Sequence, residues 1–323
     1  MVKPAARFAY FVRLMVLVVL LTGCAPAPDP VVTNLPTQPE ATPLATSTMP
    51  LPTLAWTLTP TPSPEPSPTS TPTQAPSATP TPTPSPTLTP TWAYLEAGRV
   101  VAPILLYHHI AQNGENNRYF VSPENFRAQM QYLRDLGYTS VTPSYLVSVL
   151  MRGGDLPERP VVITFDDGNM DVYENAFPVM QEMGFVGAFY IVANRLEADG
   201  FVGVEELTAM INAGWEVGSH SMSHVDLASN HSLARQEILQ SRLDLEEALE
   251  VPVKIMAYPF GLVDDTVFEK TLDYGYLAGM GLGNFNEHTW GTLYYLARRE
   301  VHYEYDLAAF GALLPWQSPA GSP

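Results

Sequence analysis

Two short motifs in this 323-residue chain have the residue types and spacing to hold a metal ion and do chemistry beside it. The first is Asp166-Asp167, set in Thr164-Phe165-Asp166-Asp167-Gly168 directly after the apolar run Val161-Val162-Ile163. Adjacent carboxylates repel one another unless a cation or a shared proton relieves the repulsion. The second is His220 and His224 in His220-Ser221-Met222-Ser223-His224. Imidazoles four apart meet on one side of a helical turn or converge from a tight loop, and they suit zinc or another borderline divalent ion. Each motif also has a plainer reading. Asp-Asp-Gly is a common exposed turn, and an isolated H-x-x-x-H is more often a solvated loop pair. Together they point to a metal held by the two histidines and one of the two aspartates, with positions left open for water and substrate. Two histidines and one carboxylate also describe the facial triad of non-haem iron oxygenases, against which the neighbouring Asp166 argues.

A third cluster, Tyr107-His108-His109-Ile110, ends the run Pro103-Ile104-Leu105-Leu106. Successive strand side chains point to opposite faces, so one of His108 and His109 is expected to face a site. His231, His288 and Trp290 read as surface or packing residues, and Asp171 as a helix cap.

The elements that must position these groups begin near Tyr94, where short apolar runs alternate with amphipathic stretches. Strands are expected at Ile104–Tyr107, Tyr138–Val141, Val161–Phe165, Gly187–Val192, Trp215–Val217, Ile255–Tyr258, Leu277–Met280 and Tyr294–Ala297. Helices are expected between them, at Pro123–Leu136, Pro143–Met151, Val172–Met183, Val204–Asn212, Ser232–Glu250 and Asp264–Asp273, with a last one at Asp306–Leu314. Ser122-Pro123 suits a cap and first turn, and Gly137, Gly184, Gly214 and Gly275 suit left-handed helix ends. Strands buried on both faces and separated by helices indicate a parallel sheet. Seven or eight such units predict an α/β fold, a distorted (β/α) barrel whose chemistry belongs at the C-terminal strand ends. The polar clusters fall directly after strands, as that fold requires.

Composition divides the rest of the chain. Residues 25–92 hold 20 of the 32 prolines and no glycine, and runs such as Thr79-Pro80-Thr81-Pro82 favour polyproline II with too little apolar surface to fold. This stretch is expected to be a disordered Pro/Thr/Ser-rich linker, reaching roughly 200 Å if extended at about 3.1 Å per residue. The remainder carries 13 basic and 30 acidic residues, which alone gives the chain's net charge of −17. With so few clustered cations, nucleic acid is excluded as a partner. The single cysteine, Cys24, lies outside the expected domain, so a disulfide framework and a thiolate metal site are excluded there. Basic residues Lys3, Arg7 and Arg13 precede the apolar run Leu14–Leu21, too short to span a bilayer. The run ends in Leu21-Thr22-Gly23-Cys24, which resembles a bacterial lipobox; this implies an exported chain anchored to the membrane or envelope through lipidated Cys24. The expected organisation is a signal peptide over 1–24, the linker over 25–92, a domain over 93–316 and a disordered tail over 317–323.

The motif set resembles the polysaccharide deacetylases, the NodB-homology domain of carbohydrate esterase family four. Thr164–Gly168 matches the family's first motif, His220–His224 its second, and Ala257-Tyr258-Pro259-Phe260-Gly261 its third. The resemblance implies Asp166 as general base and Asp167, His220 and His224 as ligands of one divalent ion, zinc foremost, with cobalt or nickel as alternatives. It implies the Phe260 N–H, beside Tyr258, as the oxyanion donor. Two positions depart from the pattern. Many members have arginine where this chain has Ala257, and Arg298 is the candidate replacement that would orient the base. The late Leu-x-His motif that supplies a general acid is not evident, leaving His302 in Val301-His302-Tyr303 as its only late candidate. The subgroup acting on poly-N-acetylglucosamine has a similar Tyr-His-x-Ile near its start, which implies His108 as the acid instead. The implied activity is deacetylation of an N-acetylated glycan outside the cytoplasm. An O-acetyl (xylan) esterase and a non-catalytic glycan-binding lipoprotein on the same scaffold are the alternatives.

Overall fold

The computed structural model describes residues 90–112 and 117–318. The expected signal peptide with Cys24 and the linker up to residue 89 lie outside the described residues, as do 319–323 of the expected tail. Seven parallel strands form the barrel: β1 (Ile104–Tyr107), β2 (Pro160–Phe165), β3 (Ala188–Ile191), β4 (Glu216–Ser219), β5 (Ile255–Ala257), β6 (Ala278–Leu282) and β7 (Leu296–Glu300). They are arranged in chain order, and β7 pairs with β1 (Arg299 with Leu105) to close the ring. The expected eighth strand is reduced to Thr139–Ser140, attached to the start of β2 beside the ring. It is left outside because β1 pairs with β2 directly over four residues.

The strand sequences alternate between two cores, as the period of two in a pleated strand dictates. Ile104, Val162, Ala188, Tyr190, Ile255, Ala257, Met280 and Leu296 belong to one buried cluster, joined by Leu146, Val147 and Leu150. Leu105, Ile163, Phe189, Ile191 and Met256 pack instead against the helices, with Phe126, Met130, Met180 and Ile238. The helices are α1 (Pro123–Asp135), α2 (Pro143–Arg152), α3 (Phe177–Met183), α4 (Val204–Asn212), α5 (Ser241–Leu249), α6 (Asp265–Asp273) and the short α7 (Leu307–Gly311). Ser122 caps α1, its side chain accepting from Asn125 N–H, with Pro123 in the first turn. The N–H and hydroxyl of Ser144, near the start of α2, donate to the Glu216 carboxylate at the start of β4. That contact sets α2 at the N-terminal end of the barrel, opposite the polar motifs.

Several boundaries differ from expectation for local reasons. The strand expected at Trp215–Val217 runs from Glu216 through Gly218 and Ser219, so His220 directly follows it. Tyr294–Ala297 is displaced to Leu296–Glu300, which puts Arg298 inside the strand. The helices expected at Val172–Met183 and Ser232–Glu250 are each interrupted by a π-helical turn, at Val172–Ala176 and Arg235–Gln240. Such turns are frequent near functional sites, and each carries a side chain that bonds a loop: Asn175 donates to the Ile110 carbonyl at 2.8 Å, and Glu237 accepts from the Met222 and Ser223 N–H groups. Trp92, expected to end the linker, starts the strand Trp92–Leu95 paired with Gly154–Pro157, its ring edge-on to Tyr145. At the other end Gln317 and Ser318 of the expected tail are held, since the Arg159 guanidinium donates to the Ser318 carbonyl and the Gln317 amide to the Leu314 carbonyl.

Gly218 on β4 shows how tightly the interior is filled. A Cβ there would lie 2.3 Å from the Tyr190 ring and 2.9 Å from the Ile255 carbonyl oxygen. Gly218→Ala is therefore expected to cost about 1–3 kcal/mol by overpacking. Urea denaturation of the folded domain measures this directly, and an unchanged midpoint would mean that Tyr190 has room to move.

Candidate active site

Two loops at the C-terminal end of the barrel bring the metal-ligating types together. One atom each from Asp167, His220 and His224 lie within 4.8 Å of one another. His224 Nε2 is 3.5 Å from Asp167 Oδ1. On the other side His220 Nδ1 donates to the Ala257 carbonyl at 2.9 Å. A carbonyl only accepts, so that bond puts the proton on Nδ1 and leaves the Nε2 lone pair for the cluster, the tautomer a metal-binding imidazole needs. Burial lowers the His220 pKa, outweighing the pull of Asp166 and Asp167, so the ring is neutral near pH 7. Two imidazoles and one carboxylate, with one ring oriented from behind, fit a borderline divalent ion.

The loops are held in costly conformations. Six described residues other than glycine have positive φ, and four of them belong to this site: Asp167 (74°), Ser221 (67°), His224 (61°) and Phe260 (59°). Left-handed backbone at such residues persists only where the surroundings over-determine it, and it concentrates at functional sites. The surroundings here include Glu237, on the π-helical turn before α5 and almost wholly buried. Its carboxylate accepts from Met222 N–H (3.1 Å), Ser223 N–H (2.9 Å) and the Ser223 hydroxyl (2.6 Å). The Ser221 hydroxyl accepts from His224 N–H at 2.9 Å. Glu237 thus folds the loop that presents both histidines. Sequence reasoning missed it, and its only signal was an acid on the apolar side of a helical segment.

Asp166 and Arg298 form the most buried ion pair described. Arg298 Nη1 and Nη2 donate to the two Asp166 oxygens at 2.6 and 2.7 Å, and both side chains are 1–2% exposed. The guanidinium lies over the Tyr190 ring, Cζ 5.4 Å from its centroid, and Nε reaches the Gly281 carbonyl at 3.4 Å. Burial pushes the Asp166 carboxyl up, but the charges of Arg298 and His220 and the two guanidinium bonds overcome it and hold its pKa at about 2. Asp166 is therefore ionised across the neutral range. Its Oδ2 is also 3.5 Å from His220 Nε2.

The remaining candidates surround an open cavity of about 330 Å³, whose walls include Asp166, Asp167, His220, His224, His108 and Phe260. Both His108 and His109 line it, contrary to the expectation that one would face away. The strict alternation ends with β1 at Tyr107, so it does not govern the two residues beyond. They differ in their bonding. His109 Nδ1 is 2.6 Å from Asp171 Oδ2, and its ring stacks on Phe120. His108 Nδ1 is buried without a hydrogen-bond partner, and burial lowers its pKa against the opposing pull of Asp166, Asp167 and Glu300. Asp171 stands at the N-cap position of the turn Val172–Ala176 but makes no side-chain capping bond there; its carboxylate takes His109 and the Ile110 N–H (3.0 Å) instead. Tyr258 lines the cavity, but its side chain is buried and its hydroxyl donates to the Tyr294 carbonyl, so that hydroxyl is not offered to a ligand. Phe260 sits in the turn Pro259–Gly261 with its ring edge-on to His224 at 4.6 Å. His302 stands apart, its Nε2 2.6 Å from Glu300 and 2.7 Å from Arg118.

The buried pair makes a pH-dependent prediction. Replacing one partner strands the other charge, so Arg298→Met is expected to cost about 3–5 kcal/mol at pH 7. Asp166 is held at about 2, below its ordinary 3.8, so the pair's contribution is complete above that ordinary value and is lost as pH falls through 2. Unfolding free energies of the two proteins should converge towards pH 2. A deficit independent of pH would mean that lost packing, rather than the charge, is responsible.

Comparison with known proteins agrees with this geometry. Residues 153–279 match the family model described as polysaccharide deacetylase. A curated relative from Staphylococcus epidermidis, poly-beta-1,6-N-acetyl-D-glucosamine N-deacetylase, is 26% identical over 166 residues, covering 47% of this chain and 57% of its own. The chain spans less than two thirds of the length of the first curated relatives it matches. Among solved structures, the polysaccharide deacetylase BC0361 from Bacillus cereus superposes with a TM-score of 0.60 at 28% identity, over 67% of this chain and 69% of that one. IcaB from Ammonifex degensii shares the fold, with a TM-score of 0.57 at 24% identity, over 70% of this chain and all of that one. The aspartate pair and the histidine loop, which converge at the C-terminal end of the seven-stranded barrel, both lie within the stretch that matches the polysaccharide deacetylase family.

Proposed function

We propose that the chain hydrolyses acetamido groups of an N-acetylated polysaccharide of the poly-N-acetylglucosamine kind. The observation that carries this reading is an ionised, doubly bonded Asp166 beside a cluster of two imidazoles and one carboxylate, all on one cavity. The substrate class is supported by the staphylococcal relative, whose own name specifies that polymer. Asp167, His220 and His224 would hold a divalent ion, zinc being the first candidate, which supplies Lewis acidity towards an acetyl carbonyl and acidifies water.

The chain's own groups do the rest. Asp166 takes the proton of the attacking water. Arg298 keeps it charged and aimed, at some cost in basicity, since a carboxylate near 2 is a weak base. The Phe260 N–H is the proposed donor to the oxyanion, a contribution of about 2.7–4 kcal/mol for a donor of this kind. His108, facing the carboxylates of Asp166, Asp167 and Glu300, is the proposed proton donor to the leaving amine. His302, bound into the Arg118–Glu300 cluster, is less suited to that role.

An amine leaves only when protonated, whereas an activated ester does not need a donor. His108→Ala is thus expected to lower deacetylation of N-acetylglucosamine oligomers by about 10²–10⁴ while sparing hydrolysis of an aryl acetate. It should also remove the alkaline limb of the pH–rate profile, which in the native protein falls below the ordinary imidazole value of 6.5 because burial lowers the His108 pKa. The same substrate-selective loss in His302→Ala, with His108→Ala merely unstable, would move the acid role to His302.

Export and lipidation at Cys24 complete the proposal, supported by the short apolar run before the chain's one cysteine. Cys24→Ser should shift the protein from the membrane to the soluble fraction or stall its processing. Unchanged mass and partition would rule out the lipid.

A further inference from the structure

Arg195 stands beside the candidate ligands without being one of them. It lies on the 3₁₀ turn Ala193–Arg195 that follows β3, and two backbone bonds tie that turn to the histidine loop. Ala193 N–H donates to the Ser221 carbonyl and Asn194 N–H to the Met222 carbonyl, both at 3.0 Å. The guanidinium lies over the Phe201 ring, Cζ 5.1 Å from its centroid. Phe201 in turn is bridged to Asn169, and Val202 N–H donates to the Gly168 carbonyl at 2.9 Å. Arg195 is therefore clamped between the loop that carries His220 and His224 and the turn that carries Asp167.

From that position Nη1 reaches Asp167 Oδ1 at 3.4 Å. His224 Nε2 faces the same oxygen at 3.5 Å, close to the separation of two ligands on one tetrahedral zinc, whose bonds are about 2.0–2.1 Å each. Oδ1 is thus the oxygen a metal would use, and a guanidinium already holds it. The two adjacent carboxylates each have their own arginine, but the two pairs are built differently. Asp166–Arg298 has two short bonds and 1–2% exposure, whereas Asp167–Arg195 has one long bond with side chains 20% and 35% exposed. The first is a permanent fixture. The second is a counter-charge that can be displaced.

We propose that Arg195 is a positioning residue that competes with the metal for Asp167 Oδ1 and so restrains metal affinity, leaving the centre exchangeable. The proposal rests on the metal reading of the Asp167, His220 and His224 cluster. Three effects act in the same direction: the guanidinium draws charge from the ligating oxygen, repels an incoming divalent ion, and stabilises the metal-free protein.

The test is chelator competition with Zn²⁺ and Co²⁺ on the metal-stripped full chain, comparing native protein, Arg195→Met and Arg195→Lys. Methionine keeps an apolar side chain over Phe201 and removes the charge; lysine keeps the charge. Arg195→Met is expected to bind both ions about fivefold more tightly, as for loss of a partly exposed charge interaction, with Arg195→Lys close to native. The metal-free Tm of Arg195→Met should fall and its metal-induced gain in Tm should rise. Structural damage does not tighten a metal site, so this outcome separates the proposed role from a packing role. Equal affinity in native and Arg195→Met overturns the proposal, and weaker binding overturns it in favour of a supporting role. Binding by none of the three proteins would remove the metal reading itself, and the proposal with it.

Discussion

The buried bond between Asp166 and Arg298 is the constraint around which the rest of the site is arranged. Two carboxylates follow one another at the end of an interior strand, where water is scarce and like charges strongly disfavour joint ionisation. Arg298 resolves this for the inner one, reaching across from β7 to bond both oxygens. A planar fork does this where a lysine could not, because it satisfies both acceptors in one plane. The cost is a guanidinium inside a barrel, offset by the Tyr190 ring beneath it and the Gly281 carbonyl beside it. Those neighbours need space in turn, and Gly218 provides it by leaving room for Tyr190.

The outer carboxylate and the histidines face a different problem, since they must stand at the cavity and keep one geometry. The answer is backbone strain secured from behind. Asp167, Ser221 and His224 are left-handed, and the loop carrying the histidines closes on a buried Glu237 that takes three of its donors. The Ala257 carbonyl fixes the His220 ring. The site is thus prepared before any ligand arrives, which is how oriented groups contribute to rate without reorganising during the reaction.

The sequence by itself determined the local facts. Alternating apolar runs and helical stretches are physical consequences of which face of each element is buried, so the parallel sheet and the position of the polar motifs after strands were legible. The Asp166-Asp167 and His220–His224 motifs were legible because their members lie within five residues, where spacing constrains geometry. The interest of Phe260 came from the likeness of Ala257–Gly261 to a family motif rather than from spacing.

What only the tertiary structure decided depends on contacts between distant residues. The number of strands in the ring was settled by β1 pairing directly with β2, a register that no local pattern encodes. The bond from Arg298 spans 132 residues, and from sequence it was an inference from a missing arginine, with no spacing to support it. Glu237 and Arg195 gave no usable signal, because a buried acid bracing a loop and a cation beside a ligand look, in sequence, like ordinary helix and loop residues. Asp171 does stand at a helix start, but its side-chain partner was missed for the same reason: His109 is 62 residues away. Local sequence sets which groups are available, while chain closure sets which of them meet, because electrostatic and hydrogen-bond energies depend on distance in space rather than separation along the chain.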